Sequence, residues 1–200
     1  VRSRAIFADG GETASAYQEF AQIYPEPGWV EHDAEEIWAV TRTTLNDVAQ
    51  RVGIESIAAI GIANQRETVV AWDRRTGKPH GTAIVWQDRR TADRCEELRE
   101  SGYLSLVRTT TGLVLDPYFS ASKFEWLLNN REIPIDDDLA LGTIDSWLIW
   151  NLTGGTDGQS TMTGLLFQDN APAAWKMPVP VVATFADGHT VREAVLADGP

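Results

Sequence analysis

The sequence predicts an α/β fold, a mixed sheet with helices against both faces, and three observations predict it. Residues 57–63 (IAAIGIA) are an almost unbroken, Ile-rich apolar run, which suits a strand buried on both faces. Residues 34–52 place Ile37, Trp38, Val40, Thr41, Leu45 and Val48 at helical spacing, which reads as an amphipathic helix. Short apolar runs at 69–72, 82–86 and 139–144 then alternate with further helical stretches, the pattern of a sheet covered by helices. The run at 57–63 ends in Asn64, Gln65, Arg66 and Glu67. At the carboxyl end of a strand in an open α/β sheet, such polar residues are placed to recognise a ligand.

In chain order, residues 4–8 are expected to be a strand, Asp9-Gly10-Gly11-Glu12 a hairpin turn, and 13–21 the returning strand. The prolines and glycine of 24–33 (YPEPGWVEHD) deny both helix and ladder, so this is a loop. Asp33 caps the helix over 34–52. Residues 69–72 and 82–86 form a hairpin around the turn at 74–79. Helices follow at 91–100, at 103–112 with a stop near Gly112, and at 120–130 with Phe124, Trp126, Leu127 and Leu128 on the buried side. A strand at 139–144 leads to Asp145, expected to cap a helix that runs through Leu152 and stops at Gly154-Gly155. Beyond it, 171–184 is expected to be a loop rich in proline, with a short strand at 181–185. The chain divides at about residue 155 into one α/β domain and a C-terminal segment, 156–200, of the same domain.

Composition narrows the classes of function. Two hundred residues with 43% apolar and 23% charged side chains are ordinary for a globular domain. A formal net charge of −12 argues against a nucleic-acid or anionic-membrane surface. Only Lys78, Lys123 and Lys176 are lysine among the basic residues, consistent with a salt-rich cytoplasm or with a GC-rich genome. The single cysteine, Cys95, excludes an internal disulfide. With no apolar run of membrane-spanning length and no signal-peptide pattern at the start, a soluble, cytoplasmic setting is expected.

Three stretches carry candidate chemistry. Arg66 donates in a rigid fork and Glu67 accepts, so the pair suits vicinal hydroxyls; the alternative is a surface ion pair at a strand end. Trp86 closes the next apolar strand and offers an aromatic face for the carbon side of a sugar or polyol, or else packs the core. Tyr118 brings a hydroxyl to the same pocket or packs its turn. Glu31, His32 and Asp33 are adjacent in sequence and cannot all face one ion, so helix entry explains them better than a metal. There is no Gly-x-Ser-x-Gly elbow, Walker A loop or Gly-x-Gly-x-x-Gly.

Read together, six blocks in order resemble the glycerol kinases, within the FGGY carbohydrate kinases of the ribonuclease H-like, actin-like ATPase fold. They are 23–33 (IYPEPGWVEHD), 57–68 (IAAIGIANQRET), 77–79 (GKP), 83–91 (AIVWQDRRT), 111–120 (TGLVLDPYFS) and 142–150 (GTIDSWLIW). The resemblance implies phosphorylation of a terminal hydroxyl of glycerol by ATP with Mg²⁺. It also implies a glycerol site at Arg66, Glu67, Trp86 and Tyr118, and assembly of the complete enzyme as a homo-oligomer. Ser3 and Arg4 resemble the last two residues of the family's phosphate loop, which makes them the expected nucleotide contacts.

The departures from the family pattern set further expectations. The sequence lacks an initiator Met and the rest of the phosphate loop, so the domain is expected to be incomplete at its N-terminus. The family's catalytic Asp lies in a Gly-Asp-Gln segment that this sequence does not contain, and past Asp157 the expected Asn-Ala-Ser-Arg-Thr block is not followed. Phosphoryl transfer rests on positioning and charge stabilisation around the phosphates. The 200 residues alone are therefore expected to hold most of a glycerol half-site and to have negligible activity. The alternatives are an FGGY kinase for another polyol or sugar, and a non-catalytic, degenerate actin-like binding domain.

Overall fold

Asp33 starts the longest helix. Its extended backbone (φ −72°, ψ 113°) lets Oδ1 accept from the amides of Glu35 at 2.8 Å and Glu36 at 3.3 Å, leaving α1 to run over Ala34–Val52. Glu35 and Glu36 in the first turn and Arg51 in the last also suit the helix dipole. Gly53, at φ 83°, ends the helix where an L side chain would be strained. The buried face of α1 carries Ala34, Ile37, Val40, Thr41, Thr44 and Val48. Part of it covers an antiparallel hairpin of β1 (Arg2–Ile6) and β2 (Glu12–Tyr17). The computed structural model describes residues 1–7, 10–152, 180–184 and 190–194.

The main sheet contains β3 (Glu31–His32), β4 (Val69–Asp73), β5 (Ala83–Ile84) and β6 (Leu139–Thr143) in the order β3-β5-β4-β6, with every ladder antiparallel. Strand alternation decides which helix each residue meets. Val70, Trp72 and Ala140 join Ala34 and Ile37 of α1 and Ile144, Trp147, Leu148 and Trp150 of α5 (Ile144–Leu152) in one buried cluster. Val69, Ala71 and Ile84 face Leu127 of α4 (Ser120–Asn130) and Ile133 in another. Helices thus cover both faces, as the sequence predicts. Burying one side chain such as Leu127 contributes about 1.5–3 kcal/mol. The shorter helices α2 (Ala92–Glu100) and α3 (Leu104–Thr111) lie between β5 and α4 in sequence, and α3 stops at Gly112 in the left-handed region. A further antiparallel hairpin pairs β7 (Pro180–Thr184) with β8 (Thr190–Ala194). Among the described residues no helix is long and apolar enough to cross a membrane.

The expected loop over 24–33 ends early: its prolines and glycine lie before Trp29, so Glu31 and His32 pair with Ile84 and Ala83 as β3, and the remaining loop is tied to the sheet through Arg90. Its guanidinium is fully buried, 3.8 Å over the ring of Trp29 and 4.5 Å from that of Trp126. It donates to Asp88 at 2.8 Å and to Glu31 at 2.7 Å. Asp88 also accepts from the amide of Val30 at 2.7 Å. The chemistry is charge-assisted and bidentate, which suits Arg and not Lys.

Four further expectations change. Residues 57–63 are not a strand: among the described residues no backbone hydrogen bond joins 58–64 to another segment, and Ile60 is 56% exposed. An apolar, Ile-rich run supplies strand propensity but not a ladder partner, and no strand among the described residues runs beside it. Asn64 to Glu67 therefore precede β4 rather than ending a strand. Asp145 lies inside the first turn of α5, not at its cap, and accepts from Thr143 and Asn64 instead. The returning strand of the first hairpin stops at Tyr17, and its expected turn residue Asp9 lies outside the described residues. The hairpin at 69–86 forms, but its strands pair directly at Val69 and Ile84 while the full length of β4 pairs with β6, a partner the apolar runs did not name. The helix stop at Gly154-Gly155, the loop at 171–179, Phe185 and the domain boundary near 155 also lie outside the described residues.

Candidate functional site

Glu67 is the hinge of the site. It has φ 63°, the left-handed region that a non-glycine residue enters only when its surroundings hold it there. The amide of Thr68 donates back to Gln65 O at 3.2 Å, so the chain reverses immediately before β4. This turn carries the Glu67 carboxylate inward, where the residue is 5% exposed. Oε2 accepts from the backbone amide of Ser120 at 2.8 Å and from Ser120 Oγ at 2.5 Å. Ser120 opens α4, so the carboxylate satisfies one of the helix's unpaired N–H groups at the positive end of its dipole.

The aromatic residues meet beside it. Thr68 Oγ1 accepts from the Trp86 amide at 3.4 Å, which brings the end of β5 next to the Glu67 turn. The rings of Trp86 and Tyr118 have centroids 5.9 Å apart at 69°, and Phe119 stacks edge-on to Tyr118 at 5.1 Å. Trp86 is 40% exposed, so part of it is open to a ligand and it is not a core tryptophan. Asp116 Oδ1 accepts from the Tyr118 amide at 2.8 Å, and Lys123 Nζ donates to the carbonyls of Pro117 and Tyr118. Arg66 is exposed next to Glu67 in sequence. Glu67, Trp86 and Tyr118, expected from three separate blocks, are thus brought together by three hydrogen bonds and one ring contact.

The other predicted contacts fall elsewhere. Ser3 and Arg4 stand on β1, in the separate two-stranded sheet. Ser3 is buried and its hydroxyl donates to Thr44 Oγ1 at 2.8 Å. Among the described residues no group of three His, Cys, Asp or Glu could hold a metal ion. Asn64 donates to Asp145, which commits its amide to α5.

The sequence reading missed Ser120 and Lys123. Lys123 is fully buried. One signal could have found it: it lies four residues before Leu127 and hence on the same buried helix face. A lysine there needs polar partners inside.

This arrangement is an α/β domain in which two aromatic rings meet beside a buried carboxylate. The chain matches the FGGY family of carbohydrate kinases, N-terminal domain, over residues 1–186, and it belongs to that family. It is 54% identical over 177 residues to a glycerol kinase of Trichlorobacter lovleyi, covering 82% of this chain and 36% of that protein. It is 55% identical over 161 residues to a glycerol kinase of Natranaerobius thermophilus, covering 76% and 32%. The crystal structure of Plasmodium falciparum glycerol kinase with ADP superposes with a TM-score of 0.71 at 34% identity, over 76% of this chain and 32% of that one. A gluconate kinase of Lactobacillus acidophilus, at 20% identity and a TM-score of 0.67, shares the fold. These neighbours carry the ribonuclease H-like, actin-like fold that the sequence predicts. The chain spans roughly a third of the length of the curated relatives it matches.

Proposed function

We propose that this chain carries the polyol-binding half of a kinase that phosphorylates glycerol. The single observation behind this reading is the facing of Trp86 and Tyr118 at 5.9 Å beside the carboxylate of Glu67. A three-carbon polyol needs few partners, and this site offers few. Arg66 is the donor, Oε1 of Glu67 the acceptor, the Trp86 face the apolar wall, and the Tyr118 hydroxyl the further polar contact. The glycerol kinases that share half of its residues support glycerol over a larger sugar.

The role of these residues is to bind and orient. Glu67 is pre-set by Ser120, so its carboxylate loses little freedom when a hydroxyl docks. Trp86 excludes water from the carbon backbone of the ligand. Transfer from ATP with Mg²⁺, and self-assembly, are proposed for the complete protein, and no step of transfer is assigned to residues of this chain. The deciding measurement is the melting temperature of the 200-residue chain and its Arg66→Ala variant with increasing glycerol. The wild type is expected to gain stability with glycerol and the variant to gain less. A folded wild type that shows no shift would overturn the reading.

A further inference from the structure

Lys123 is a fully buried charged group that the proposed site does not use. It sits on the inner face of α4 with none of its surface exposed, although lysine is among the residues least often found in such places. Its ammonium points back along the helix to the turn that precedes it, donating to Pro117 O at 3.1 Å and to Tyr118 O. Both carbonyls belong to the turn that presents the Tyr118 ring to Trp86. The same turn is held from its other side by Asp116, whose carboxylate accepts from the Tyr118 amide and whose carbonyl accepts from the Phe119 amide at 3.1 Å.

We infer that Lys123 is a positioning residue of the polyol site: its ammonium clamps the Pro117–Tyr118 carbonyls and so sets where Tyr118 stands opposite Trp86. The inference rests on the proposed polyol site for its functional meaning, and on geometry alone for the clamp. The charged groups around Lys123 suit a cation. The carboxylate of Glu67 approaches from the turn before β4, that of Asp88 from the segment after β5, and that of Asp116 from the turn itself, while the Cys95 thiol faces it from α2. Burial pulls the ammonium down to about 8 against the opposing pull of these groups, so at neutral pH it stays protonated with all three donors in place. A hydrophobic residue of the same length would fill the space more cheaply. What the lysine supplies instead is N–H donors for two carbonyls of the turn, Pro117 O and Tyr118 O.

The test is local hydrogen exchange in the 200-residue chain, comparing wild type with Lys123→Met and Lys123→Gln. The methionine keeps the length of the stem and removes the donors. Amide exchange at Tyr118 and Phe119 is expected to rise at least tenfold in Lys123→Met while α1 stays protected, the size expected for losing a charge-assisted hydrogen bond. Lys123→Gln, with a donor on a shorter stem, is expected to fall between. The glycerol concentration needed for half of the thermal shift is expected to rise about tenfold in Lys123→Met, in step with the loosened turn. A folded Lys123→Met with unchanged exchange at 118–119 overturns the clamp. So does a variant that fails to fold or loosens α1 equally, since Lys123 would then serve the whole core. A wild type that ignores glycerol while the exchange result holds would remove the polyol reading and leave the clamp standing.

Discussion

One carboxylate oxygen of Glu67 receives both the amide and the hydroxyl of Ser120, 53 residues away in sequence. That pairing joins the turn before β4 to the first residue of α4. It holds a non-glycine residue at φ 63°, with both donors of Ser120 on the same carboxylate oxygen. Ser120→Ala removes the hydroxyl donor and keeps the amide. Denaturant unfolding is expected to show a loss of about 1–3 kcal/mol, typical of a hydrogen bond to a buried charge. A loss below about 0.5 kcal/mol would mean that the amide alone holds the carboxylate.

The exposure of Trp86 separates ligand effects from stability effects. Because 40% of its surface is open, Trp86→Ala is expected to cost the chain about 1–2 kcal/mol, well under the 3–5 of a core tryptophan. The glycerol-dependent rise in melting temperature should vanish in the same variant. Trp86→Ala with an intact glycerol response would remove the aromatic wall from the site.

Gly77 is required for two independent reasons. Its φ of 73° lies where an added Cβ is strained, and that Cβ would come within 2.1 Å of the Trp150 ring. Trp147 Nε1 also donates to the Gly77 carbonyl at 3.1 Å, so the turn cannot move away freely. Gly77→Ala is expected to destabilise by roughly 2–4 kcal/mol, read from the shift of the urea midpoint. Gly10→Ala, where nothing lies within 4 Å, serves as the control with strain alone.

Arg90 is the second buried cation, and here the partners are carboxylates. Replacing it by Ala leaves Asp88 and Glu31 buried with much of their compensation gone, for an expected loss of about 3–5 kcal/mol. Arg90→Lys should recover only part of this, since an ammonium cannot reproduce the bidentate fork between Trp29 and Trp126. Full recovery by lysine in thermal unfolding would contradict that account.

His32 makes the fold sensitive to acid. Burial lowers its proton affinity against the weaker opposing pull of Glu36, and neither ring nitrogen finds a hydrogen-bond partner. The unfolded chain therefore takes up a proton near pH 6.5 that the folded chain resists. Its contribution is complete above pH 6.5 and declines as pH falls below it, by at most about 1.4 kcal/mol per pH unit. Urea midpoints at pH 7.5 and 5.5 are expected to fall less in His32→Phe than in the wild type. Equal falls would assign the acid sensitivity to other groups.

The sequence determined everything whose cause lies within a few residues. Asp33 and the 3.6-residue recurrence after it specify α1, Gly112 ends α3, and short apolar runs specify β4 and β6. The candidate residues Glu67, Trp86 and Tyr118 were legible too, through the polar string after an apolar run and through the family resemblance of their blocks. The tertiary structure alone decided what those residues meet. Propensity made 57–63 read as a strand, yet a strand exists only where a partner offers a ladder. Asp145 had the residue type of a cap, but Thr143 and Asn64 engaged it inside the helix. The same limit hid Lys123: sequence spacing shows that it faces inward, and only the folded turn shows which two carbonyls its charge is there to hold.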